Sequence, residues 1–126
     1  MNIALIAHDK RKDIMVQFCV AYCGIFSKHT LCATNTTGRF VSEATGLPIK
    51  QYLTAAQGGV QQIGARIPYN ELDLVLYFCD PSASDNENVN ELARLCDRYN
   101  VPFASNIATA EALVLALGRG DLDWRL

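Results

Sequence analysis

The chain has 126 residues, half of them hydrophobic and 19% charged, with a formal net charge of −2. This composition excludes a disordered chain, and the charge excludes the broad cationic surface that non-specific nucleic-acid binding needs. No run approaches the roughly 20 apolar residues of a membrane span, and the length fits a single domain over residues 1–126 with its own core.

Ile3–Ala7 is a short apolar run that predicts the first strand. His8, Asp9, Lys10, Arg11 and Lys12 follow it at once, the wrong order for a secretory leader, so the expected location is cytoplasmic. Ile14, Phe18, Ala21, Tyr22 and Ile25 recur at helical spacing and predict one buried stripe. Leu31–Ala33 predicts a second strand, and Gly38–Ala44 a short helix closed by Gly46, with Pro48 just beyond. Ile49–Leu53 reads as a weaker strand. The Gly-rich turn at Gln57, Gly58 and Gly59 precedes a predicted helix over Gln62–Ile67, which Pro68 to Asn70 terminate.

Leu72–Cys79 is apolar almost throughout, the composition of a central strand covered on both faces. Val89, Leu92, Ala93, Cys96 and Tyr99 mark the next helix, Val101–Ser105 a last strand and Thr109–Leu117 a last helix. Strands separated by single helices predict an α/β three-layer sandwich with a five-stranded, mostly parallel sheet. Five cysteines without paired metal-ligand spacing read as small hydrophobes in a reduced core.

Four of the apolar runs stop at polar clusters, and in a parallel sheet these gather at one edge, where open α/β folds bind ligands. The clusters are His8 to Lys12, Thr34 to Gly38, Asp80 to Ser82, and Ser105 with Asn106. Hydroxyls, glycine and cations together suggest a small phosphorylated metabolite or inorganic phosphate. The stretch Thr34, Asn35, Thr36, Thr37, Gly38 fits a phosphate cradle at a helix N-terminus, although the same residue types cap helices with no ligand. Lys12, near the start of the first helix, opposes the helix dipole and hints at an anionic partner; Lys10 and Arg11 read as solvated charges. His8 fits a hydrogen-bonded structural role, Asp9 equally an N-cap, and Asp80 with Pro81 equally a turn.

Residues 3–9 with Lys12, residues 33–38, 44–47 and 58–64, Asp80 with Pro81, residues 92–96 and residues 106–111, taken in order and register, resemble the methylglyoxal synthase family; the ending from Arg119 to Arg125 is typical of some members. The resemblance implies a homo-oligomer, usually a hexamer, acting on dihydroxyacetone phosphate. A carbon-bound proton is removed and phosphate expelled to give methylglyoxal, with no metal or organic cofactor. Carried over by position, Lys12, Thr34, Thr36, Thr37 and Thr54 would hold the phosphate. His8 and Asp9 would lie in the site, and Asp80 would support the catalytic groups.

The departures from the family pattern fall on its chemistry. Val60 stands where the family places its aspartate general base, and a hydrocarbon cannot accept a proton. The loop after Pro81 is about two residues shorter and lacks the family's histidine, and Asn88 takes the place of a second aspartate. Thr54, Ala55 and Ala56 replace Ser-Gly-Pro, and Asn35 replaces a glycine. The expectation is a phosphate-ligand site with lost or strongly impaired lyase activity, serving as a ligand sensor or assembly subunit. The alternative is an active synthase with a relocated base: Asp9 first, then Asp85 or Glu87.

Overall fold

The computed structural model describes residues 1–84 and 86–126. Five strands form one parallel sheet: β1 (Asn2–Ala7), β2 (Thr30–Ala33), β3 (Ile49–Gln51), β4 (Leu74–Phe78) and β5 (Phe103–Ala104). Their spatial order is β3-β2-β1-β4-β5. β1 is paired on both sides, with Ile3 opposite Leu31 in β2 and Leu74 in β4.

Side chains alternate along each strand, so the two central strands supply both cores. Ile3, Leu5, Leu74, Leu76 and Phe78 face one layer, which holds Met15, Phe18, Phe26, Val41 and Val114. That layer is built from α1 (Lys12–Ala21), α2 (Cys23–Phe26), α3 (Asn35–Thr45) and α6 (Ile107–Arg119). Ala4, Ile6, Val75 and Tyr77 face the other layer, where Val60, Ile63, Leu92 and Cys96 pack. Its helices are α4 (Gly59–Gly64) and α5 (Asn86–Arg98). Strands covered on both faces explain why β1 and β4 read as continuous apolar runs.

Several boundaries differ from the sequence reading for local reasons. The first predicted helix is divided at Tyr22, whose φ of −108° and ψ of 20° leave the helical region. The buried stripe therefore runs through Met15, Phe18 and Cys19, then Phe26 on the next turn. α3 starts earlier than predicted, at Asn35. α4 starts at Gly59 because Gly58 takes a left-handed turn (φ 100°) immediately before it.

Candidate anion pocket

The chain travels β1, β2, β3 in one direction across the sheet and then crosses to β4 and β5 on the other side of β1. The carboxyl ends of β1 and β4 are therefore a topological switch point, where crevices form in open α/β sheets. His8 and Asp80 sit on these neighbouring ends. The His8 N–H donates to the Phe78 carbonyl at 3.0 Å, and the Asp80 N–H donates to His8 Nδ1 at 2.8 Å. An imidazole whose Nδ1 accepts in this way carries its neutral-form proton on Nε2. The His8 ring also meets Tyr77 edge-on, with centroids 5.4 Å apart.

Above this floor opens a pocket of about 850 Å3. Thr34 and Thr36 line it from the start of α3; Thr54, Ala55, Ala56 and Gly58 from the loop before α4; Lys10 from the 3-10 turn Asp9–Arg11; and Lys12 from the start of α1. Thr34 is the N-cap of α3, but its side chain does not cap the helix; its hydroxyl instead donates to the Thr37 hydroxyl at 3.4 Å. The first-turn N–H groups of an α-helix have no partner within the helix, so this end of α3 presents donors and a positive dipole to the pocket. Thr37 itself is only 1% exposed and lies beneath the wall rather than on it.

Lys12 is held in place. Its ammonium donates to the Ala7 carbonyl at 3.1 Å and to Asp9 Oδ1 at 2.6 Å, leaving one of its three hydrogens for a further acceptor. Its side chain is 14% exposed, whereas that of Asp9 is 98% exposed. The hydrogen bond from Lys12 and the charge behind it hold the Asp9 carboxyl below the usual carboxylate value. Asp80 is lowered too, by hydrogen bonds from the Ser82 hydroxyl (2.8 Å) and the Ser82 N–H (3.0 Å), with help from Lys10 and Arg11. Both carboxylates that line the pocket among the described residues are thus weakened as bases.

Val60 is not on the pocket wall. It is 3% exposed and belongs to the apolar cluster beneath α4 and α5. Asn88 does reach the pocket, and its Oδ1 accepts a hydrogen bond from Gln61 Nε2 at 3.0 Å. Glu87 is exposed and does not line the pocket, and Asp85 lies outside the described residues.

Sequence reasoning thus reached Lys12, Thr34, Thr36, Thr54, His8, Asp9 and Asp80, all of which the fold brings to one pocket. It passed over Lys10 and Gln61, which line it as well. The position of Gln61 two residues beyond the Gly58-Gly59 pair was the available signal; nothing local distinguishes Lys10 from a solvated cation.

A family model described as an MGS-like domain matches residues 15–105. The methylglyoxal synthase of Caldicellulosiruptor saccharolyticus is 59% identical over 127 residues, covering 99% of this chain and 90% of that protein. The methylglyoxal synthase of Bacillus mycoides is 56% identical, covering 99% and 97%. A crystal structure of methylglyoxal synthase from Elizabethkingia anophelis NUHP1 superposes with a TM-score of 0.84 at 36% identity, covering 90% of this chain and 76% of that one. With its sequence matching over nearly its whole length and its fold superposing closely, the chain belongs to the methylglyoxal synthase family.

Proposed function

We propose that the pocket binds the phosphate group of a small phosphorylated metabolite, or inorganic phosphate, and that the family's lyase reaction is lost or strongly impaired. Lys12, Thr34, Thr36, Thr54 and the start of α3 supply the anion site, with Thr37 bracing Thr34 from below. His8 and Asp80 form the floor. No metal or organic cofactor enters this reading, and the protein works as a homo-oligomer, a hexamer by family likeness, acting as a ligand sensor or assembly subunit.

One observation carries the loss of turnover. Proton removal from carbon requires a base of adequate strength, and position 60 offers a buried hydrocarbon while Asp9 and Asp80 are tied to Lys12 and Ser82. Losing a positioned general base costs on the order of 10²–10⁴ in rate. The names of the relatives favour a second reading, an active synthase, which in this chain would need a relocated base such as Asp9.

Dihydroxyacetone phosphate incubated with the purified protein separates the two. The expected result is release of methylglyoxal and phosphate at least about 100-fold slower than by a family enzyme assayed alongside. Full wild-type turnover that disappears in Asp9→Asn would establish the second reading instead.

A further inference from the structure

Beside the anion pocket lies a second hollow of about 270 Å3, cut between α4 and α5. Val60, Gly64, Ala65, Pro68, Leu92 and Leu95 form its wall. The trough exists because α4 carries small residues there: a Cβ added at Gly64 would come within 3.3 Å of Leu95 and 3.4 Å of Leu92. Gln61 and Asn88 belong to both hollows, and the hydrogen bond between their side chains is the partition. Parting an exposed neutral pair of this kind forfeits little, since water replaces what each amide loses.

The two hollows have opposite chemistry. One offers cations, hydroxyls and a helix N-terminus, and the other offers hydrocarbon. Val60 belongs to the groove wall alone, and a carboxylate in its place would lose hydration to any apolar group laid against it; valine carries no such cost. Glu91 at the groove rim opposes a second negative charge at the far end of an occupant.

Building on the phosphate reading above, we infer that the ligand is an organic phosphate monoester whose other end is uncharged hydrocarbon, lying past Gln61 and Asn88 in the groove. The groove is a subsite for the ligand's own chain. At roughly 30 Å3 per water-sized group, it has room for a chain of several carbons.

Calorimetry with inorganic phosphate, methyl phosphate, propyl phosphate and hexyl phosphate tests this. Affinity is expected to rise roughly two- to fourfold per methylene beyond methyl until the groove is full. In Ala65→Trp, which fills the groove from a solvent-facing position, the chain-length gain should vanish while inorganic phosphate binds as in wild type. Leu95→Asp serves the same purpose should the tryptophan variant fail to fold. Binding of phosphate with no dependence on chain length would overturn the subsite and leave the phosphate reading standing. A dependence that persists undiminished in both variants places the hydrocarbon elsewhere and also overturns it. No binding of any of the four compounds removes both readings together.

Discussion

At the scale of single residues, the pocket floor is a carboxylate held in its charged form. Asp80 accepts two hydrogen bonds from Ser82, and these, with the nearby Lys10 and Arg11, lower its pKa from the ordinary 3.8. A group whose pKa falls on folding contributes stability above its unfolded value and loses that contribution as pH drops through the folded one. Asp80→Asn should therefore unfold more easily in urea than wild type at about pH 7, with the same stability difference at about pH 5 and a shrinking one below 3.8. A difference that stayed constant down to about pH 2 would mean that the carboxylate's charge is not what Ser82 stabilises. The same loop is anchored to β1 through the Asp80 N–H and His8 Nδ1. The effect therefore belongs to the geometry of the floor as well as to the turn.

At the scale of elements, the loop that carries Thr54 is set by one backbone approach. The Gly59 N–H donates to the Thr54 carbonyl at 2.8 Å, and a Cβ on Gly59 would stand 1.9 Å from the Leu53 carbonyl oxygen. No side-chain rotation relieves a clash with backbone, so Gly59→Ala should destabilise the protein by about 2–4 kcal/mol and weaken phosphate binding by displacing Thr54. Gly24→Ala is the control. It lies in α2 with nothing within 4 Å of the added carbon, so it should gain about 0.5–1 kcal/mol from helix propensity. Chemical denaturation of the two variants decides the matter, and equal stabilities would refute the close-approach argument.

This scale also shows what could be read from the chain. β1 and β4 were legible because both faces are buried, and α5 because Val89, Leu92 and Cys96 repeat at helical spacing. β5 was overextended, since Val101 and Pro102 precede the two residues that actually join the sheet. The site was legible wherever a strand ends in a polar residue, as at His8, Thr34 and Asp80. It was not legible where partners come from distant segments. Gln61 meets Asn88 across 27 positions, and Val60 turns into the core rather than the pocket, which no local pattern encodes.

At the scale of the whole molecule, the pocket joins segments that are far apart in sequence: the end of β1, the start of α3, the loop before α4 and the chain after β4. Unfolding separates all of them, so the unfolded chain retains no such pocket, and any ligand of the pocket must stabilise the fold by mass action. At a free phosphate concentration of about 100 Kd the gain is about 2.7 kcal/mol. For a chain of 126 residues, with an unfolding entropy near 2.1 cal/mol/K per residue, each kcal/mol moves the midpoint by about 4 °C. The expected rise in Tm is therefore about 10 °C at that concentration, increasing with the logarithm of phosphate rather than levelling off. Thr36→Ala, on the pocket wall, should need several-fold more phosphate for the same rise. Sulfate at matched ionic strength corrects for general salt stabilisation of folded proteins. If phosphate raised wild type and Thr36→Ala equally, and no more than sulfate does, the stabilisation would come from the solvent rather than from an occupied pocket.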